Sequence, residues 1–126
     1  NTISEAILVM QKPRCKVSKA IKGYKGEVLE QSLVPDGYER SNVWYINPET
    51  ASKHTAPYPV ALTDKLVQYY SFVGDTVLDP FNGSGTTGVS AVKANRYYIG
   101  CELHQNYVEM SNERISRYDS SLKQML

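Results

Sequence analysis

The stretch best suited to bind a ligand is a glycine-containing segment in the second half of the chain. It reads Val77-Leu78-Asp79-Pro80-Phe81-Asn82-Gly83-Ser84-Gly85-Thr86-Thr87. Two glycines allow the backbone to turn tightly and to approach a ligand closely, and the amides at the start of a following helix favour a negatively charged group. A glycine loop by itself is equally compatible with an ordinary structural turn.

A second chemical feature is the acidic residue Glu102, which lies 17 positions after Gly85 at the predicted end of the next strand. A carboxylate at that place can accept hydrogen bonds from the two hydroxyls of a ribose. The loop and this acid together predict a nucleoside-containing cofactor. The alternative for Glu102 is a solvated strand end, and the alternative for Asp79 is a cap on the loop, a role compatible with ligand binding.

The elements that must position these residues form an alternating series. We predict a helix after Pro59, a buried parallel strand over residues 76–78, the glycine loop, a helix ending at Asn95, a strand over residues 97–101 and a helix over about 105–118. In the last helix we expect Tyr107, Val108, Met110 and Ile115 to face inward, and Glu113, Arg114 and Arg117 to face outward. This order is a βαβ unit of a doubly wound α/β sheet.

The first 50 residues or so have weak periodicity and many turn signals, so we expect short elements joined by loops. Within them residues 42–46, rich in β-branched and aromatic types, predict a strand. Trp44 in that segment is expected in the core rather than as a base-stacking platform. Cys15 and Cys101 are too few for a disulfide framework and are expected to be structural thiols.

Three segments resemble the amino-group DNA methyltransferases, the family that methylates the exocyclic nitrogen of adenine or cytosine. The glycine stretch matches every fixed position of the family's motif I, Asp-Pro-Phe-x-Gly-Ser-Gly-Thr-Thr. Residues 53–59 (Lys-His-Thr-Ala-Pro-Tyr-Pro) are similar to motif X, with Thr55 replacing a common proline and Tyr58 a common phenylalanine. Residues 95–102 and Asn106-Tyr107 resemble the segment after motif I. Motif X directly before motif I is the arrangement of the family's beta group.

The resemblance implies a Rossmann-like methyltransferase fold that binds S-adenosylmethionine. The implied cofactor residues are His54, Thr55 and Pro57 from motif X, together with Asp79, Pro80, Phe81, Gly83, Ser84, Gly85, Thr86 and Glu102. Phe81 would lie near the adenine, Glu102 would hold the ribose, and motif X would border the methionine moiety. His104 could border the adenine pocket or lie in an exposed loop. Neither the resemblance nor the sequence suggests a metal.

The family's methyl transfer depends on an Asp-Pro-Pro-Tyr or Ser-Pro-Pro-Tyr motif, and this sequence contains no Pro-Pro dipeptide. We therefore expect no catalytic residue and an incomplete fold in this chain, which would not be active alone. The motif and a third strand are expected before Asn1 or in a complementary chain, and a homodimer is left open. We assign residues 1–48 to a target-recognition region that contacts DNA, and residues 49–126 to the cofactor-binding part.

A basic cluster lies in the first of these regions. It comprises Lys12, Arg14, Lys16, Lys19, Lys22 and Lys25, without an acidic residue between them. Because the net charge is only +1, attraction to nucleic acid must come from such a local patch. We predict that Lys12, Arg14, Lys16 and Lys19 contact the DNA backbone, the alternative being a solvated surface loop.

The predicted function is methylation of double-stranded DNA, at adenine N6 in preference to cytosine N4. We expect the protein to act in DNA modification of the restriction-modification type, in the cytoplasm. We expect no membrane-spanning segment. The alternatives are an RNA methyltransferase and a non-catalytic module that binds S-adenosylmethionine as a scaffold or regulator. A dinucleotide-dependent oxidoreductase is disfavoured because the loop is not Gly-x-Gly-x-x-Gly.

Overall fold

The computed structural model describes residues 6–10, 23–34, 37, 39, 41–48 and 58–119. The helices in these ranges are α1 (Gly26–Gln31), α2 (Val60–Tyr70), α3 (Thr86–Lys93) and α4 (Gln105–Ser116). The strands are β1 (Thr76–Asp79) and β2 (Tyr97–Gly100). From α2 onward the observed order is the predicted one.

The two strands pair in parallel, with Thr76 opposite Tyr97 and Asp79 opposite Gly100. Parallel neighbours need a crossover, and α3 supplies it between β1 and β2. Since both strands run in the same direction, Asp79 and the residues after Gly100 lie at the same edge of the sheet. The predicted α/β unit is therefore present, and it brings the glycine loop and Glu102 to one place.

One face of the sheet carries the helices and the core. Helix α3 packs against α2, both strands and α4. Its Val89 and Ala91 are 2% and 0% exposed. Thr63 of α2 and Ser90 of α3 are both buried, and their hydroxyls form a hydrogen bond of 2.7 Å. This bond satisfies two polar groups inside the helix contact, where an unpaired hydroxyl would be costly.

The opposite face of the sheet is not covered by any of the described residues. Leu78 and Ile99 lie opposite each other across the strands, and their side chains are 61% and 54% exposed. Tyr97 beside them is 70% exposed. The prediction of a strand over residues 76–78 is confirmed, but the prediction that it is buried is wrong for this face. A parallel sheet is normally buried because helices cover both of its faces. Here the described residues cover only one face.

The predicted strand over residues 42–46 is wrong, because these residues have no regular secondary structure. A strand requires a hydrogen-bonded neighbour, and among the described residues β1 and β2 pair only with each other. Trp44 instead packs on α2. Its ring lies 5.5 Å from the ring of Tyr69 in an edge-to-face contact, and the Lys65 ammonium lies 4.6 Å from the Trp44 ring centroid.

Residues on both sides of helix α1, Tyr24 before it and Ser32 after it, contact the turn between α2 and β1. The Tyr24 hydroxyl donates to the Asp75 carboxylate, and the Val73 amide donates to the Ser32 hydroxyl at 2.8 Å. The hydrogen bond to Asp75 is the main reason why the pKa of Tyr24 is raised. In the parts of the chain described above, every helix is too short or too polar to cross a bilayer.

Candidate functional site

The glycine loop joins the carboxyl end of β1 to the first turn of α3. Gly83 and Gly85 have φ values of 51° and 80°, the left-handed region that glycine adopts without a steric penalty. Gly85 is the N-cap residue of α3, and no side chain of the described residues caps that end of the helix. The amides of its first turn therefore lack a side-chain acceptor, which leaves a helix end suited to a carboxylate or phosphate.

Asp79 closes the start of the loop. Its Oδ1 accepts a hydrogen bond of 3.0 Å from the Phe81 amide, and its Oδ2 lies 3.5 Å from the Tyr58 hydroxyl. The capping role considered for Asp79 is thus observed. Phe81 itself is 86% exposed, so its ring is accessible to a flat apolar group such as a nucleobase.

Glu102 is bonded to the glycine loop and to the backbone that follows β2. Its Oε2 accepts from the Gly83 amide at 2.9 Å, and its Oε1 accepts from the Leu103 and His104 amides, both at 2.9 Å. These bonds favour the charged form, and the pKa of Glu102 is lowered, chiefly by the His104 amide. Glu102 is therefore tied to the backbone at the end of β2 rather than hydrogen-bonded to water alone.

The same geometry limits what else Glu102 can hold. A carboxylate offers about four acceptor positions, and the three backbone amides occupy two on Oε1 and one on Oε2. As far as the described residues go, one position on Oε2 is left. A single ribose hydroxyl can therefore be added while all three backbone amides stay bonded.

Tyr58, at the end of the predicted motif X, brings that segment to the glycine loop. Its hydroxyl lies 3.1 Å from the hydroxyl of Thr87, in the first turn of α3. Partial burial is the main reason why the pKa of Tyr58 is raised, so this hydroxyl stays protonated and able to donate. The other motif X residues assigned to the site, His54, Thr55 and Pro57, lie outside the described residues.

The side chains beneath the loop are buried and polar. Ser84 and Thr86 are each 6% exposed, so their side chains face the protein interior, and Ser84 would meet a ligand through its backbone. Asn82, 8% exposed, donates from Nδ2 to the Ser111 hydroxyl at 2.8 Å and accepts from the Tyr98 hydroxyl. Burial, and secondarily the charge of Asp79, raises the pKa of Tyr98, which keeps its donor proton in place.

Arg114 corrects the prediction for the last helix. We expected it to face outward with Glu113 and Arg117, but it is half-buried and its Nη1 donates to Ser84. Arg117 is exposed as predicted and pairs with Glu113. The physical reason is that the glycine loop presents acceptors to this face of α4, so a charged side chain is satisfied there without water.

The other predicted residues are exposed or lie outside the described residues. Cys101 is exposed, contrary to the expectation of a structural thiol, and it directly follows the carboxyl end of β2. His104 is exposed and lies beside Tyr107. Cys15 and the predicted DNA contacts Lys12, Arg14, Lys16 and Lys19 lie outside the described residues. Among the residues that the structure describes, no group of histidine, cysteine and acidic side chains could hold a metal ion.

Sequence reasoning missed the residues that hold the loop from behind. Asn82 carried a signal only as a polar residue at the variable position of motif I, whereas its burial and its two partners are seen only in the structure. Ser111 and Arg114 carried a weaker one: they are three positions apart and therefore share a helical face. Nothing in the sequence indicated that this face meets the glycine loop.

Comparison with known proteins identifies the family of this chain. The family model for DNA methylases of the N6 and N4 type matches residues 1–113. The orphan methyltransferase M.BamHII of Bacillus amyloliquefaciens is 38% identical over 85 residues, which are 68% of this chain and 31% of the relative. The type II methyltransferase M.Cfr9I of Citrobacter freundii is 34% identical over 101 residues, 79% of this chain and 34% of the relative. The chain thus spans about a third of the curated relatives it matches.

Solved structures agree with the sequence comparison. TTHA0409 of Thermus thermophilus, a putative DNA modification methylase in complex with S-adenosyl-L-methionine, superposes with a TM-score of 0.65 at 35% identity. The match covers 77% of this chain and 39% of that protein. A methyltransferase fold of the Rossmann-like class, present here in part, carries the loop and the acid described above. This chain belongs to the family of N6-adenine and N4-cytosine DNA methyltransferases.

Proposed function

We propose that this chain supplies the S-adenosylmethionine site of a site-specific DNA methyltransferase. The observation that carries the proposal is the hydrogen bond between Glu102 and the Gly83 amide. It connects the acid predicted to bind ribose with the glycine loop at the end of β1. S-Adenosylmethionine has a ribose, an adenine and a methionine carboxylate, and the site offers a complement to each. Bound there, it would supply the methyl group from its sulfonium.

The complements are assigned by their chemistry. The one acceptor position left on Glu102 suits a ribose hydroxyl, and the exposed ring of Phe81 suits the adenine. The uncapped start of α3 suits the methionine carboxylate, because a helix N-terminus attracts negative charge. Motif X residues His54, Thr55 and Pro57 are assigned to the methionine side. Tyr58, which contacts Thr87, supports the approach of that segment to the loop.

A titration of the intact protein with S-adenosylmethionine tests this assignment. We expect binding that is lost in the double variant Asp79→Ala, Glu102→Ala. Glu113→Ala is the matched control, since Glu113 is an exposed acid on α4 that forms an ion pair with Arg117. Equal affinity of the double variant and the control, or preferential binding of NAD, would refute the cofactor site.

The open sheet face supports a requirement for more protein. Leu78 and Ile99 are exposed on it, and a groove of about 770 Å³ beside β1 is lined by apolar side chains of α2, including Leu62 and Leu66. We propose that the N-terminal half of the same protein or a complementary chain covers this face and carries the catalytic Pro-Pro motif. Mass spectrometry of the purified material and the coding sequence before Asn1 test this. A 14.2 kDa species that methylates DNA as a monomer would contradict it.

Double-stranded DNA is the proposed substrate, with adenine N6 ahead of cytosine N4 as the target. The family match supports DNA as the class of substrate, and the basic cluster at residues 12–25 supports contact with the backbone. Transfer of a labelled methyl group to duplex DNA, followed by nucleoside analysis, identifies the base. Labelling of RNA alone would favour an RNA methyltransferase. Binding of S-adenosylmethionine without methylation by any assembled form would favour a scaffold.

A further inference from the structure

Helix α4 reaches the glycine loop through Arg114. The guanidinium Nη1 donates to the carbonyl oxygen of Ser84 at 2.8 Å and to its hydroxyl at 2.7 Å. We propose that Arg114 is a positioning residue that sets the conformation of the glycine loop for cofactor binding. The inference rests on the proposed S-adenosylmethionine site and adds to it a residue 29 positions away from Gly85.

The contact fixes one peptide plane of the loop from both sides. A peptide unit is planar, so the Ser84 carbonyl and the Gly85 amide move together. Arg114 holds the carbonyl, while the Gly85 amide donates to the Asn82 carbonyl at 2.9 Å. Rotation of this unit would break both bonds. Its neighbour Gly83 donates to Glu102, so the orientation set by Arg114 extends to the residue that contacts the predicted ribose-binding acid.

Ser111, one helical turn before Arg114, holds the adjoining part of the loop. It is 1% exposed, and its hydroxyl accepts from Asn82 Nδ2 at 2.8 Å. A Cβ atom added to Gly85 would lie 2.4 Å from this hydroxyl, so the loop backbone rests directly on α4. Because residues i and i+3 of a helix lie on the same face, Ser111 and Arg114 act on the loop as one rigid surface.

Arg114 does not line the ligand side of the loop. Ser84, its partner, is 6% exposed and faces the interior, and Arg114 reaches it from α4 beneath. Its effect on a ligand is therefore through preorganisation, which preserves affinity by reducing the order that binding must impose. Loss of Arg114 should weaken cofactor binding more than it slows the chemical step.

The test compares two arginines of the same helix in the intact protein. Arg114→Met removes the donors and keeps the aliphatic volume. Arg117→Met is the matched control, because Arg117 is exposed and contacts Glu113 rather than the loop. Affinity for S-adenosylmethionine is measured by calorimetry, and KM and kcat by methyl transfer to duplex DNA. Arg114→Lys, which can restore one donor, is the conservative variant.

We expect Arg114→Met to weaken S-adenosylmethionine binding by about 10- to 100-fold, because the charge-assisted hydrogen bonds to Ser84 are lost. KM for the cofactor should rise while kcat at saturation stays within about twofold, as removal of ground-state binding requires. Arg114→Lys should recover part of the affinity, and Arg117→Met should leave it unchanged. In the Arg114→Met background, Ser84→Ala should have less effect on affinity than it has alone.

Two results overturn the inference. Unchanged cofactor affinity in Arg114→Met would show that the loop holds its shape without this contact. A loss that Arg114→Lys does not relieve, with equal loss of DNA affinity and of thermal stability, would show a role in folding only. If the unsubstituted protein fails to bind S-adenosylmethionine, the proposed function falls and this inference with it. If the unsubstituted protein binds S-adenosylmethionine, the Arg114 variants test the positioning role alone.

Discussion

Replacing Gly85 by alanine tests the fit between the glycine loop and α4. The φ angle of Gly85 is 80°, and an added Cβ would lie 2.4 Å from the Ser111 hydroxyl oxygen, 2.9 Å from its Cβ and 3.1 Å from its Cα. The hydroxyl can rotate away, but the Cα belongs to the backbone of α4 and cannot. Either the loop or the helix must move.

Two costs add in this variant. A left-handed φ costs an alanine about 1–2 kcal/mol. Overpacking against a rigid neighbour costs about another 1–3 kcal/mol. The expected loss in the free energy of unfolding is therefore about 2–5 kcal/mol. Because the displaced loop carries the Glu102 contact, affinity for S-adenosylmethionine should fall as well.

Gly74 provides a matched control. Its φ is 84°, close to that of Gly85, but no atom of the described residues lies within 4 Å of an added Cβ. Gly74→Ala should therefore cost only the backbone part, about 1–2 kcal/mol, and leave cofactor affinity unchanged. Urea unfolding and calorimetric titration of both variants in the intact protein measure the two quantities. Equal destabilisation by Gly74→Ala and Gly85→Ala would refute the reasoning, since the steric overlap would then contribute nothing.

Three further predictions concern Glu102, Tyr58 and the basic cluster. Glu102→Gln should weaken S-adenosylmethionine binding. It should also reduce the fall in the free energy of unfolding at acidic pH. Because the pKa of Glu102 is lowered on folding, this side chain stabilises the protein above its ordinary pKa of 4.5, and the stabilisation is lost as the pH falls below that value. The free energy of unfolding is measured between neutral and acidic pH. A pH profile of the variant that matches that of the unsubstituted protein would contradict this. Tyr58→Phe should lower the free energy of unfolding by about 0.5–1.5 kcal/mol through loss of its hydrogen bond with Thr87; urea unfolding that matches the unsubstituted protein would exclude a role for this hydroxyl. Charge reversal at Lys16 and Lys19 should weaken DNA binding and reduce its salt dependence without changing cofactor affinity; filter binding at several salt concentrations checks it, and equal loss of both affinities would instead indicate misfolding.

Much of the fold from α2 onward could be predicted because its signals are local. Apolar spacing and flanking turn residues give the helices and strands, and alternation of the two types predicts a parallel pair. The strand predicted over residues 42–46 failed for the opposite reason. Residue preferences describe a segment's suitability for a sheet, whereas a strand exists only where a neighbouring strand offers hydrogen bonds.

The sequence by itself determined the chemistry of this site: a glycine loop at the end of one strand, an acid at the end of the next, and no Pro-Pro dipeptide. Tertiary structure decided how those groups are used. It turned Glu102 toward three backbone amides and turned Arg114 inward to Ser84. The physical reason is that a charged side chain on a helix is expected to face water unless acceptors replace it. Here the acceptors come from a loop about 30 residues earlier, which only packing brings to that face of the helix.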